Sequence, residues 1–181
     1  LGLVLTAARV AAEEAAGDED LRRRCETIAR AAERMLRTAQ QVFELGDQPA
    51  PAPEAPYSPS DVVLGVAEDL RALGVAIECE VTPAARRAWT TGVAERLEAL
   101  VQSLLTNASD HGEPGVPVRV RVERPRRVLG VEVVNAIAAN RRHRGLGLGS
   151  LIANEFALRL GAALEMAAEA GQFTATIHLQ L

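Results

Sequence analysis

Lysine is absent from this 181-residue chain: every one of its 20 basic side chains apart from histidine is arginine. Together with the abundance of alanine, this reads as the base composition of the source and carries no function. Acidic residues outnumber basic ones, 24 to 20, for a formal net charge of −4, so the chain as a whole lacks the electrostatic footprint of a nucleic-acid binder. Aromatic residues make up only 3 %, against 48 % hydrophobic, so the core must be built from Leu, Val and Ala. The two cysteines, Cys25 and Cys79, form no metal-binding or redox pair and suit a reducing, cytoplasmic compartment. No run approaches the roughly 18 apolar residues of a membrane helix, and no signal peptide is present, so no membrane contact is expected of this stretch. Histidine occurs three times, as His111, His143 and His178, and never in the first hundred residues. The chain begins at Leu1 without methionine, which marks it as a piece of something longer.

What is present falls into two parts. Residues 1–46 read as a helical hairpin. Leu1, Val4, Leu5, Ala8, Ala11, Ala12 and Ala15 keep helical spacing up to Ala16. Gly17-Asp18-Glu19-Asp20 then punctuates, and a second helix runs from Leu21 to about Leu45. Leu21, Cys25, Ile28, Ala32, Met35, Ala39 and Val42 step by four and three alternately, a heptad seam flanked by Arg and Glu. One hairpin has too little core to stand alone, so a homodimer through residues 1–46, closing a four-helix bundle, is expected. Residues 47–59 form a Pro/Ala linker that cannot continue a helix. Residues 60–181 form the second domain.

In that domain Ser60 is placed as the cap of a helix from Asp61 to about Leu73, ended by Gly74. Val75 to Val81 alternates like a strand, and Arg86 to Trp89 reads as a short edge segment. A helix follows from near Val93. Val116 to Glu123 is a strand with Val inward and Arg outward; Pro125-Arg-Arg127 turns it into a partner strand, Val128 to Val134. After a loop from Asn135 to Arg144, a helix runs to about Leu160 with Gly161 as its cap. Strands at Ala163–Ala168 and Phe173–Leu181 close the chain. The fold class expected is α+β: helices on one face of a mixed sheet, an α/β sandwich preceded by the helical hairpin.

Two stretches carry the chemistry. Leu97, Leu100, Val101, Leu104, Leu105 and Ala108 line one helical face, with Asn107 near its end and His111 one turn on. Gly145-Leu-Gly-Leu-Gly149 is a glycine turn opening a helix, where backbone N–H groups can approach an anion. Asn107-Ala-x-x-His111 resembles the N box of the histidine-kinase ATPase family, and GLGLG resembles that family's second glycine box. The resemblance covers nearly the whole chain. It implies ATP and Mg²⁺ as cofactors, with Asn107 on the metal and His111 near the phosphates. Asn135 would face the adenine, and Arg144, Gly145, Gly147 and Gly149 would shape the phosphate turn. It also implies a receiver domain of a response regulator as partner, and a cytoplasmic protein or the soluble part of a membrane-bound sensor. The phosphoacceptor histidine would lie upstream of Leu1, leaving no catalytic residue of that kind within the chain.

Three departures from the family pattern stand out. Its first glycine box is here Asn135-Ala-Ile-Ala-Ala139, with an uncharged amide for the family's Asp and Ile137 for its first glycine. A β-branched residue cannot take positive φ cheaply, so Ile137 is expected to crowd the base. The loop holding Arg141, Arg142, His143 and Arg144 is short for an ATP lid. The hairpin holds no histidine. An active histidine kinase core is therefore weighed against a pseudokinase that serves as a docking module for a receiver domain, and against an anti-sigma-factor-like serine kinase. His178 reads as an outward strand residue, and Asp110 as a helix-end residue.

Overall fold

The computed structural model describes residues 2–15, 18–29, 32, 54–137 and 148–181. The chain divides into two compact units, Leu1–Gln48 and Pro49–Leu181.

In the first unit, α1 spans Gly2–Glu14 and α2 is helical over 19–29. Asp18 caps α2: its carboxylate accepts the Leu21 N–H at 3.0 Å, and its carbonyl accepts that of Arg22. Surface pairs of Glu19 with Arg22 and Arg23, and of Asp20 with Arg24, follow the helical three- and four-residue steps. The expected seam is divided. Cys25 and Ala32 are buried, as is Ala29 beside them, while Leu21 and Ile28 stay 47 % and 50 % exposed. Met35, Ala39 and Val42 lie outside the described residues.

The second unit is an α+β sandwich. Strands β2 (Ile77–Val81), β4 (Val118–Glu123), β5 (Val128–Ala136), β6 (Ala163–Glu169) and β7 (Gln172–Gln180) form one sheet in the order β2-β4-β5-β7-β6. β2 runs parallel to β4 and the other pairs are antiparallel. Alternation along β4 and β5 sends Val118, Val120, Val122, Leu129, Val131 and Val133 inward; Arg119, Arg121 and Glu123 face solvent. Helices α3 (Pro59–Ala72), α5 (Ala94–His111) and α6 (Leu148–Leu160) cover the apolar side. Leu97, Leu100, Val101 and Leu105 of α5 are fully buried there. Truncating any of these leucines to alanine would cost about 2–5 kcal/mol.

Three sequence expectations need correcting. The cap of α3 is Ser58, whose Oγ accepts the Asp61 N–H at 3.3 Å; Ser60 is buried and donates to the Ala85 carbonyl at 2.9 Å. Pro59 explains the shift: its fixed φ and missing N–H suit the first helical position, so the helix begins inside the stretch read as linker. Ala55–Tyr57, also read as linker, is strand β1, paired antiparallel with β3 (Thr90–Gly92) in a separate two-stranded sheet. Pro83–Arg86 is a helical turn, α4, capped by Thr82, so the expected edge segment at Arg86–Trp89 moves on to Thr90. The elements from α5 to β7 otherwise occur in the expected order.

Candidate functional site

α5 and α6 lie side by side, and their two ends are pinned differently. At one end Arg96 Nη1 donates to the Arg159 carbonyl at 3.0 Å. At the other, the Asn107 side chain lies on Gly149, the second residue of α6. A Cβ built on Gly149 would stand 2.7 Å from both Oδ1 and Nδ2 of Asn107 and 2.9 Å from its Cγ. A Cβ there would push the amide away, so glycine is what lets the amide cover the first turn of α6. The N–H groups of that turn and the amide of Asn107 thus share one small region.

Asn135 belongs to the inward row of β5, continuing Leu129, Val131 and Val133. It is 4 % exposed, a buried polar group at the end of an apolar row. Its Nδ2 donates to the Ala136 carbonyl at 3.4 Å, while Oδ1 has no partner among the described residues. A buried acceptor without a donor costs about 1–3 kcal/mol, which an incoming N–H group would recover. Phe173 stands directly across from it on β7 and so on the same face.

The segment leaving α5 ties these two regions together. The Glu113 N–H donates to the Ala136 carbonyl at 2.9 Å, and Gly112 forms an isolated antiparallel bridge with Ile137. Gly112 has φ −68°, so it is not needed for a left-handed turn. It is needed for closeness: a Cβ there would stand 2.8 Å from the Ala108 carbonyl oxygen. His111, exposed at the end of α5, precedes this latch. Ile137 donates its N–H to the Gly171 carbonyl at 2.8 Å and is not among the residues with positive φ. The strain expected of a β-branched residue at 137 is therefore not met, because the chain continues extended.

No protein-family model matches the sequence, and no curated protein is similar to it. Solved structures are similar to it in fold. A histidine kinase of Acinetobacter baumannii, AdeS, aligns with a TM-score of 0.62 at 13 % identity over 98 % of this chain and 93 % of its own. The mycobacterial sensor histidine kinase MprB aligns with a TM-score of 0.56 at 23 % identity, over 71 % of this chain and 97 % of its own. The cytoplasmic segment of histidine kinase QseC gives 0.57 at 23 % identity, covering 81 % and 93 %. The fold is that of a sensor histidine kinase core.

Of the residues expected at a histidine-kinase nucleotide site, the structure brings Asn107 and Gly149 into contact and places Asn135 at the strand end beside Gly112. Arg144, Gly145 and Gly147 lie outside the described residues, as do Arg141, Arg142 and His143. Asp110 is half-buried near the end of α5. His178 sits on the outer sheet row, 3.9 Å from Glu165. Sequence reasoning missed Gly112 and Phe173. A glycine directly after the His111 turn was the available signal for the first; for the second there was only the scarcity of aromatics. Among the described residues no group of three or more His, Cys, Asp or Glu is placed to hold a metal ion. No helix among the described residues is long and apolar enough to cross a membrane.

Proposed function

We propose that this chain is the ATP-binding core of a dimeric sensor histidine kinase, which phosphorylates a histidine for relay to a receiver-domain aspartate. The observation that carries the reading is the Asn107 amide lying on Gly149 at the start of α6. Hard Mg²⁺ takes oxygen ligands and is commonly held by one or two protein groups plus substrate phosphates, which suits a single amide oxygen in this position. The N–H groups of the first α6 turn suit phosphate oxygens. The unpaired Oδ1 of Asn135 suits the amino group of an adenine. ATP supplies the transferable phosphoryl group; the chain's own residues bind, orient and offset charge, which is most of what phosphoryl transfer asks of a protein. His111 is assigned to the phosphates, and the family resemblance assigns Arg144, Gly145 and Gly147 to them as well. The heptad-spaced Leu21 and Ile28, left exposed in a single chain, support dimerisation through residues 1–46.

A second reading, a pseudokinase that docks a receiver domain and transfers nothing, is favoured by one observation. Ile137 stands where the family has glycine, and it is bridged to Gly112 at the mouth of the base region. Calorimetry with Mg·ATP separates the two. Under the kinase reading the wild-type chain binds and Asn107→Ala weakens binding at least tenfold while the chain stays folded. Absence of binding by the wild type selects the docking module, and equal binding by both proteins removes Asn107 from the metal site.

A further inference from the structure

The charge of the second unit is unevenly placed. Residues 82–92 and 124–128, sixteen in all, hold five arginines and no acidic side chain. The chain's other residues sum to −9, with 15 arginines (20 less these five) against 24 acids. The fold brings both stretches to one end. β2 and β4 run parallel, and the Thr82 N–H carries their pairing one step further, to the Val122 carbonyl at 3.0 Å. α4 follows Thr82, and the turn into β5 follows Glu123. Arg86, Arg87 and Trp89 leave one compact turn. It is held by buried Ala85 and Ala88 and by the Ala88 N–H, which donates to the Ala85 carbonyl at 2.9 Å. Arg124, Arg126 and Arg127 stand on the neighbouring turn, and all five arginines are exposed.

Three observations set this end apart from an ordinary solvated surface. None of the five arginines forms an ion pair with another described residue, whereas Arg121 on the outer sheet row lies 3.6 Å from Glu123. Arg126 has φ 62°, a left-handed conformation in which Gly or Asn costs less, so the turn carries charge against its own geometry. Trp89, the chain's one tryptophan, is 62 % exposed, although so large a ring is ordinarily covered.

We propose that this end is a membrane-surface contact, laying the arginines on the phosphate and carboxylate groups of anionic lipid and the Trp89 ring at the headgroup boundary. Guanidinium groups pair bidentately with both anions, and an indole, apolar with one polar N–H, favours that depth. Charges on separate turns around one ring suit a broad face more than a groove, which sets lipid ahead of an acidic peptide. The expectation of no membrane contact came from the lack of an apolar span, and a surface contact needs none. The nine residues of β5 lead from this end to Asn135 and Ala136, roughly 25 Å at strand rise. The contact and the nucleotide region are therefore separate, and neither inference depends on the other.

The test uses the whole chain with phosphatidylcholine vesicles, plain or carrying roughly 30 mol % phosphatidylserine, at low salt. Because Trp89 is the only indole, its emission reports the contact directly. A blue shift and cosedimentation are expected with the anionic vesicles, at least about tenfold stronger than with the neutral ones and fading as salt rises. Arg126→Gly, which relieves the left-handed turn, combined with Arg86→Gln and Arg87→Gln, weakens binding at least about tenfold without lowering the melting temperature. Arg119→Gln with Arg121→Gln, a charge-loss control on the outer sheet row, leaves binding within about twofold. The same shift with polyglutamate or inorganic phosphate at matched charge assigns the end to an acidic peptide or a small anion and overturns the inference. No shift with anionic vesicles, equal binding to neutral ones, or an equal loss in the control pair overturns it as well.

Discussion

One methyl group at position 149 opposes two effects that usually act together. Replacing a helical glycine by alanine stabilises a helix by about 0.5–1 kcal/mol. Here the added Cβ would land 2.7 Å from both polar atoms of the Asn107 side chain and push the amide away. Gly149→Ala should therefore keep or raise the melting temperature while weakening Mg·ATP binding, read by calorimetry beside a melting curve. Wild-type affinity in that variant would show that Asn107 works from another position or not at all. Position 137 teaches the converse. A residue-type rule made Ile137 an obstacle through its backbone, yet the backbone there is extended and bonded to the Gly171 carbonyl at 2.8 Å. The rule about φ is sound; the assumption that this chain needs positive φ at 137 was taken from the family's glycine.

At the scale of elements, the β6–β7 hairpin has a two-residue turn in which Ala170 (φ 50°) and Gly171 (φ 78°) are both left-handed. That geometry favours Asn-Gly, and alanine with positive φ is strained. Ala170→Asn should stabilise the chain by about 1 kcal/mol, raising the melting temperature by a few degrees. A lower melting temperature would mean that the turn is held by contacts of Ala170 itself. The order of elements from α5 onward was legible because each has a clean period: leucines at helical steps in α5, strict alternation in β4. Starts and short elements were less legible. Ser58 and Ser60 look alike as caps until Pro59 is recognised as a first helical residue, and Thr82-Pro83 hides α4 in the same way. β1 and β3 are three residues each, too short to show a period. Of the candidate site, Asn107, Gly149 and Asn135 could be named through the family motifs they resemble. The latch through Gly112 and Glu113 could not, because it joins backbone atoms far apart in sequence.

At the scale of the whole molecule, the heptad row that leaves Leu21 and Ile28 exposed predicts a dimer through the first unit. Light scattering should give twice the chain mass for residues 1–181 and the monomer mass for a piece beginning at Glu54, which keeps β1 whole. Equal dimerisation of the shorter piece would place the interface in the second unit. The central claim concerns where nucleotide binds, and amide hydrogen exchange with and without Mg·ATP tests it most directly. Protection is expected at the C-terminal turn of α5 through Glu113, at Asn135–Ile137 and in the first turn of α6, with no change along the outer strand residues Arg119 and Arg121. No protection anywhere at saturating Mg·ATP, or protection confined to other elements, would contradict the account.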